Sequence, residues 1–105
     1  MKPYALRPQA REDRRNEVRY YRREAGAKVA ANLIEALERA LRELELQPAI
    51  GSLALGQVIG LAGMRTWRVD GFALTFWYFE RETHVDIARL VGQRQDALAI
   101  DIVDE

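Results

Sequence analysis

Arginine is the residue type in the second half of this chain that is best suited to chemistry. The arginines of that half are Arg65, Arg68, Arg81, Arg89 and Arg94. Because a guanidinium group stays charged and binds carboxylates or phosphates through two parallel hydrogen bonds, the set could hold an RNA backbone or a partner protein. Two of the five belong to the segment ARLVGQRQD, residues 88–96, where a strand pattern ends in a polar tail.

Cleavage of RNA needs more than cations, because an enzyme that uses the 2′-hydroxyl of RNA also needs a base and an acid. His84 is the only histidine, and its position beside a predicted turn favours a solvated edge residue over a base. No lysine follows Lys28. We therefore expect the arginines to be anchors rather than catalysts. If the chain is a nuclease, the candidate residues are Arg65, Arg68, Arg89 and Arg94.

Metal and thiol chemistry have no support in the sequence. The chain has no cysteine, which fits a reducing cytoplasm. Asp86 stands alone between two apolar residues, and the acidic end formed by Asp101, Asp104 and Glu105 is typical of a solvated tail. We predict no metal and no cofactor.

Charge is balanced over the whole chain, with 16 basic and 16 acidic side chains, but it is not balanced along it. Residues 1–25 hold eight basic and four acidic residues. Proteins that bind nucleic acid usually carry a clear positive excess, so direct binding is not expected. Glu12, Asp13 and Glu17 interleave the arginines of this segment, which favours a solvated helix face over a phosphate site. Those arginines are Arg11, Arg14, Arg15, Arg19, Arg22 and Arg23.

The elements that must position these residues follow from the spacing of apolar side chains. Residues 2–7 can form a short strand, and Pro8 suits the first turn of a charged helix over residues 9–25, which Gly26 ends. Helical spacing predicts a second helix that Pro48 and Gly51 stop. Its apolar positions are Ala30, Leu33, Ile34, Leu37, Leu41 and Leu44. Because few residues join the helices, we expect an antiparallel hairpin.

The rest of the chain changes from helical to strand periodicity. Residues 46–64 are uncharged, but a proline and four glycines argue against a membrane span and predict a loop with a short apolar strand or turn. Alternation then predicts strands over residues 64–70, 72–80 and 83–91, with turns at residues 70–71 and 81–82. The order β-α-α-β-β-β indicates one α+β domain over residues 1–105, with the helix hairpin on a twisted, mainly antiparallel sheet. Residues 97–105 are expected to be a flexible tail or a short helix.

The middle strand of the predicted sheet, FALTFWYF, is apolar on both faces. Phe76 and Tyr78 point to one side of the sheet, and Trp77 and Phe79 point to the other. One side must pack on the helices. The other side must be covered or must form an exposed aromatic surface, which commonly marks an interface.

Several phrases of the sequence, in this order, resemble the ParE-like toxins of the RelE/ParE toxin–antitoxin superfamily. They are LRPQAREDRRNEVRYYRREAG (6–26), the leucine-rich second helix, LQPAIGS (46–52), GMRTWRVDGFALTFWYF (63–79) and VDIARLVGQRQD (85–96). The resemblance covers residues 4–98. The sequence departs from the family at its closing motif, residues 89–96. Gly92, Gln93 and Gln95 surround Arg94 there, in place of the usual histidine or second arginine.

The resemblance implies a cytoplasmic bacterial toxin of a type II toxin–antitoxin module, of the kind that stabilises plasmids and causes growth arrest. Such a toxin binds and inhibits DNA gyrase, and a cognate ParD-like antitoxin neutralises it in a hetero-oligomer. It would act by binding rather than by catalysis, without a membrane, and would reach nucleic acid only through the antitoxin. Two alternatives stay open: a RelE-like ribosome-dependent mRNA endonuclease, and a decayed toxin that only binds antitoxin.

The resemblance also suggests binding residues. Target binding is expected from Arg89, Gln93, Arg94 and Asp96. Antitoxin binding is expected in an aromatic groove formed by Phe76, Trp77, Tyr78, Phe79, Trp67 and Arg68. For Arg89, an internal ion pair with an acid such as Asp86 or Asp70 has equal weight. The arginine-rich first helix could also steer an acidic antitoxin.

Overall fold

In the computed structural model, which describes residues 1–102, a helix hairpin packs on one face of a four-stranded sheet. The elements are β1 (Tyr4–Leu6), α1 (Pro8–Ala25), α2 (Ala27–Leu46), α3 (Ala54–Ile59), β2 (Met64–Arg68), β3 (Leu74–Glu80), β4 (Val85–Gly92) and a 3₁₀ turn (Ala97–Ala99). The strand order is β1-β4-β3-β2, and only the pairing of β1 with β4 is parallel. The predicted α+β class and the predicted order of helix hairpin and strands are confirmed.

A single glycine joins the two helices of the hairpin. Pro8 is the first residue of α1, and Gly26 follows its last residue with a φ of 97°. The Gly26 amide donates to the Arg22 carbonyl, and the Gly26 carbonyl accepts from the Ala30 amide, each at 3.1 Å. Because a side chain would strain this φ, glycine at this position lets one helix end and the next begin without a loop.

The uncharged segment contains a helix where the sequence predicts a loop with a short strand or turn. The glycines that look like breakers have specific places in α3. Gly60 ends the helix in the left-handed conformation, with φ 79° and ψ 21°. At Gly56, an added Cβ would lie 2.7 Å from the carbonyl oxygens of Leu61 and Met64. The missing side chain therefore lets α3 approach β2 closely, which local sequence pattern does not reveal.

The sheet differs from the predicted three-stranded meander in two respects. β1 adds a fourth strand beside β4, where the Arg7 amide donates to the Ile87 carbonyl at 2.9 Å. The two strands lie about 80 residues apart in sequence, so no local pattern pairs them. The predicted two-residue turn at Asp70-Gly71 is part of a longer loop, because the Val69 amide already bonds the Leu74 carbonyl at 2.9 Å.

The middle strand of the sheet is buried on both faces. Phe76 and Tyr78 pack against the hairpin, in a cluster with leucines of α2 such as Leu37. Trp77 and Phe79 pack on the other face, each with 2% exposure. The second face is covered by α3, by the residue Leu61 that follows it, and by residues 97–102, called the closing segment below. The covering side chains are Leu55, Ile59, Leu61, Ala97, Ile100 and Ile102. Of the two alternatives for this face, a cover or an exposed aromatic surface, the cover is therefore correct, because the chain packs its own short helix and tail on it.

Candidate functional site

Arg89 is held inside the molecule by Asp13 of α1. Its Nε and Nη2 donate to the two carboxylate oxygens of Asp13 at 2.7 and 3.0 Å, and its Nη1 donates to the Asp101 carbonyl at 2.7 Å. The side chains of Arg89 and Asp13 are only 11% and 10% exposed. The alternative of an internal ion pair for Arg89 thus matches the structure in kind, but the partner is neither Asp86 nor Asp70.

Asp13 accepts a further hydrogen bond from the main chain of β4, next to a bulge in that strand. The register with β3 shifts between Trp77, which faces Arg89, and Tyr78, which faces Ile87, so one residue of β4 has no opposite partner. Next to this irregularity, the Leu90 amide donates to Asp13 at 3.1 Å. A carboxylate that accepts both a guanidinium and a main-chain amide ties α1 to the strand that ends in the closing motif.

Arg94 lies past the end of β4 and is held against α1, but it remains accessible. Its Nη2 lies 3.0 and 3.1 Å from the two carboxylate oxygens of Glu17, and its guanidinium stacks 4.1 Å from the centroid of the Tyr20 ring. The Arg94 side chain is 48% exposed, whereas the Glu17 side chain is 7% exposed. One arginine of the closing motif is therefore internal, and the other presents half of its surface to solvent in a fixed orientation.

The rest of the closing motif forms a tight turn on the surface. The side-chain oxygen of Gln95 accepts from the Gly92 amide at 2.7 Å, and that of Asp96 accepts from the Leu98 amide at 3.0 Å. Gln93 is exposed, and its side chain makes no hydrogen bond within the described residues. Gln93, Arg94 and Asp96 are all exposed at this turn, so each presents side-chain atoms to a partner.

The nuclease candidates are not brought together in one cleft. Arg65 donates to the carbonyls of Ala49 and Gly51 at 3.1 and 2.8 Å and so anchors the loop after α2. Arg68 is exposed beside a cleft of about 280 Å³ that Gln93 and Gln95 also line. Arg89 and Arg94 face α1 instead.

Trp67, one of the residues expected to bind the antitoxin, lies on the helix side of the sheet, where its Nε1 donates to Glu43 at 3.1 Å.

In the sequence Asp86 stands alone between two apolar residues, but in the structure it lies between two arginines. Arg7 donates to its two carboxylate oxygens at 2.9 and 2.8 Å, and Arg81 donates at 3.0 and 3.1 Å. Partial burial by itself would raise the pKa of Asp86, but the hydrogen bonds and charges of both arginines outweigh burial and lower that pKa. This trio joins β1, the β3–β4 turn and β4 at the end of the sheet opposite the closing motif.

Tyr78 uses its hydroxyl to close the loop after α2. The hydroxyl donates to the Pro48 carbonyl at 2.7 Å and accepts from the Gly51 amide at 2.9 Å. Burial is the main reason that the pKa of Tyr78 is raised above its ordinary value. This hydroxyl is therefore a structural group and not an acid poised for catalysis.

His84 and Arg94 lie at opposite ends of β4. Within residues 1–102, no group of three or more His, Cys, Asp or Glu side chains could hold a metal ion. His84 precedes β4 and Arg94 follows it, so they are separated by the length of eight strand residues, about 26 Å. His84 and Arg94 therefore cannot act on the same phosphate.

Comparison with known protein families identifies the chain. The family model described as "ParE toxin of type II toxin-antitoxin system, parDE" matches residues 4–97. The chain belongs to the ParE toxin family. That match spans nearly every described element, from β1 to the closing motif.

The fold of this ParE-family chain is also that of a solved structure, described as the chromosomal ParDE TA system from P. aeruginosa. The two chains superpose with a TM-score of 0.73 over 88% of this chain and 96% of the other, at 14% sequence identity. A search of curated proteins finds no match. Among the residues that the structure describes, no helix is long and apolar enough to cross a membrane.

Sequence reasoning missed the acids that hold the closing motif of this ParE-family chain. Asp13 and Glu17 look like members of a solvated helix face, because each alternates with arginine in the sequence. In the structure both turn toward the sheet, where they meet Arg89 and Arg94. Their four-residue spacing, which places them on one face of α1, was the only sequence signal for a shared role.

Proposed function

We propose that this ParE-family chain is a toxin that binds and inhibits DNA gyrase and is neutralised by a cognate antitoxin. The observation that carries the proposal is the family match over residues 4–97. The solved system of similar fold is a ParDE toxin–antitoxin assembly, which supports an antitoxin as partner of this chain too. In this proposal the toxin acts stoichiometrically, by occupying a surface of its target.

The turn that follows β4 is the surface proposed to meet the target. Arg94 is half exposed and is held in one orientation by Glu17 and the ring of Tyr20. A guanidinium that is already oriented loses little freedom when it binds a carboxylate of a partner. Gln93 and Asp96 lie beside it and are exposed. Arg89, which is nearly buried, has the different role of positioning the end of the strand.

The antitoxin site is proposed to include the rim of the second sheet face rather than the aromatic residues themselves. Trp77 and Phe79 are already covered by α3 and the closing segment. Arg68 is exposed at the edge strand β2, and it lines the cleft that runs from this strand to the closing motif. An antitoxin segment in this cleft would cover the turn that carries Arg94 and so compete with the target.

The test is supercoiling of a relaxed plasmid by purified gyrase, titrated with this protein and then with the antitoxin encoded beside it. Inhibition that one equivalent of antitoxin reverses is the expected result. No inhibition by a large molar excess of folded protein would contradict the gyrase proposal. Cleavage of messenger RNA in a translation reaction would then favour the ribosome-dependent nuclease.

Two variants place the target surface. Arg94→Ala is expected to raise the concentration for half-inhibition about tenfold, the equivalent of one charge-assisted contact. Arg23→Ala is the matched control, because Arg23 also contacts Tyr20, at 5.7 Å, and also pairs with a glutamate. Gln93→Ala removes no internal side-chain bond, so its inhibition curve reports on the surface even if Arg94→Ala unfolds. Unchanged inhibition by both variants would move the target site elsewhere.

A further inference from the structure

The closing segment, residues 97–102, lies on the second face of the sheet as a cover that the chain supplies to itself. Its inward side chains are Ala97, Ile100 and Ile102, and each of them is half-buried. They pack on an apolar surface of β3 and β4 that is formed by Trp77, Phe79, Ala88 and Val91. Leu98 points outward and is 78% exposed. The segment therefore has one apolar side toward the sheet, as a bound peptide would have.

Within the described part of the chain, no main-chain ladder joins the closing segment to the sheet. Among residues 1–102, the hydrogen bond that links it to the rest of the fold runs from Arg89 Nη1 to the Asp101 carbonyl, at 2.7 Å. Its other hydrogen bonds are local, such as that from the Ala99 amide to the Asp96 carbonyl at 3.0 Å. β4 beneath it, by contrast, pairs with both β1 and β3. Because a region held by few contacts opens at a low free-energy cost, this segment should open far more easily than the sheet.

The packing around the closing segment is open at both of its ends. Beside Ala97 lies the cleft of about 280 Å³ that Trp77 also lines. Beside Asp101 and Ile102 lies a second cleft of about 380 Å³, which reaches Ala88. Each cleft is wide enough for several water molecules, whose share of liquid volume is about 30 Å³. Water can therefore reach the apolar contact from both ends without any change in the helices or strands.

Removal of this cover would leave the rest of the fold in place. The opposite face of β3 and β4 stays packed on the helix hairpin through residues such as Phe76 and Leu90. Arg89 keeps both of its bonds to Asp13 and loses only its bond to the Asp101 carbonyl. The opening is therefore a local change, and the hairpin and the sheet do not have to separate.

We propose that the closing segment is a detachable cover, with a closed state that shields Trp77 and an open state in which Trp77 and the Nη1 edge of Arg89 meet solvent. The hinge is the exposed turn of residues 93–96, because a few loop residues are enough to absorb such a change. The closed state predominates, since the covalent link keeps the segment beside its site at an effective concentration of about a millimolar. The open state presents an aromatic surface that the closed state conceals. The proposal does not rest on gyrase as the target.

Acrylamide quenching of tryptophan fluorescence reports the state of the cover in the full chain. The chain has two tryptophans, so Trp67→Phe leaves Trp77 as the single emitter. Urea is added in steps, and the quenching constant of Trp77 is compared with the far-UV circular dichroism of the helices and strands. Quenching is expected to be low in water and to rise at urea concentrations at which the circular dichroism is still unchanged. Coincident transitions would overturn the proposal, and so would full quenching of Trp77 already in water.

Two variants in the same Trp67→Phe background test which side chains hold the cover. Since half-burial of one isoleucine side chain favours the closed state about tenfold, Ile100→Ser with Ile102→Ser should lower the closed-to-open ratio about a hundredfold. Trp77 should then be quenched readily in water while the circular dichroism is retained. Leu98→Ser is the matched control, because it makes the same kind of change at an exposed position of the same segment. It is expected to shift the ratio less than about twofold.

Three results of this comparison would overturn the proposal. Unchanged quenching in the double variant would show that Ile100 and Ile102 do not hold the cover. Equal quenching in the double variant and in Leu98→Ser would show that the inward contacts have no special role. Loss of circular dichroism in the double variant would show that the segment belongs to the cooperative fold and does not open alone. Gyrase inhibition is measured separately, so the cover and the proposed target surface can fail independently.

Discussion

The ion pair between Asp13 and Arg89 is expected to be one of the strongest single contributions to the stability of this fold. Both side chains are about nine-tenths buried, and Asp13 accepts three hydrogen bonds at 2.7 to 3.1 Å from Arg89 and the Leu90 amide. Removing one partner of a buried pair costs about 3–5 kcal/mol, because the other is left charged and unpaired. Since small domains are stable by only about 5–15 kcal/mol, either Asp13→Ala or Arg89→Ala should remove a large share of the total.

A double-mutant cycle measures this interaction by urea denaturation of Asp13→Ala, Arg89→Ala and the double variant. The second deletion removes the unpaired charge that the first one leaves, so the double variant should lose about as much as the worse single variant. The coupling free energy then equals the smaller of the two single losses, about 3 kcal/mol or more. The matched control is the pair Glu12–Arg15, which is also a contact between acid and arginine but is 48% and 61% exposed. A coupling of only about 0.2–1 kcal/mol is expected there.

Additive losses from Asp13→Ala and Arg89→Ala, to within about 0.5 kcal/mol, would refute the reasoning. A second result would refute it from the side of function. If Arg89→Ala keeps full stability and loses gyrase inhibition, Arg89 is a direct anchor for the target and not the internal contact that its geometry indicates. If the variant loses stability and its remaining folded fraction inhibits normally, Arg89 acts only by positioning the strand.

Three further predictions concern the loop after α2, the short helix and the acid range. Tyr78→Phe should cost about 1–3 kcal/mol in urea denaturation, because it leaves the buried Gly51 amide without an acceptor. An unchanged midpoint would show that this amide finds another partner. Gly56→Ala should lower the thermal midpoint, with an overpacking cost of about 1–3 kcal/mol, since the new Cβ would meet two carbonyl oxygens at 2.7 Å. The lowered pKa of Asp86 means that its contribution is present above its unfolded value, near pH 3.9, and is lost as the pH falls further through the folded pKa. Asp86→Asn should therefore flatten the fall in stability below about pH 4 when urea midpoints are compared across pH. An identical acid slope in the variant would contradict this.

Much of the fold follows from periodicity that is local to each element. The leucines of α2 repeat at helical spacing, and Pro8 and Gly26 mark the bounds of α1, so both helices and their antiparallel hairpin are predicted correctly. The order of the three antiparallel strands follows in the same way from alternation. α3 is missed because its two glycines resemble breakers. One of them is needed for contact with β2, and the other ends the helix.

The parallel pairing of β1 with β4 and the cover over the second sheet face could not be predicted from local pattern. β1 has three residues, and its partner lies at the far end of the chain. The segment that covers Trp77 and Phe79 is contributed partly by Ile100 and Ile102, which read as an ordinary tail. Each depends on contacts between segments that lie far apart in the sequence.

The sequence by itself determined which residue types are present and which faces of the elements they share. It placed Arg89 and Arg94 at the end of the last strand, gave α1 its alternating charges, and indicated the ParE family through the order of its motifs. Only the tertiary structure decided which charges meet. Asp13 and Glu17 turn inward because α1 packs against β4, and this leaves the arginines of α1 facing solvent and Arg94 only half covered. Helical periodicity fixes the angle between side chains on one helix, but the partner that each side chain meets is set by packing across the whole chain.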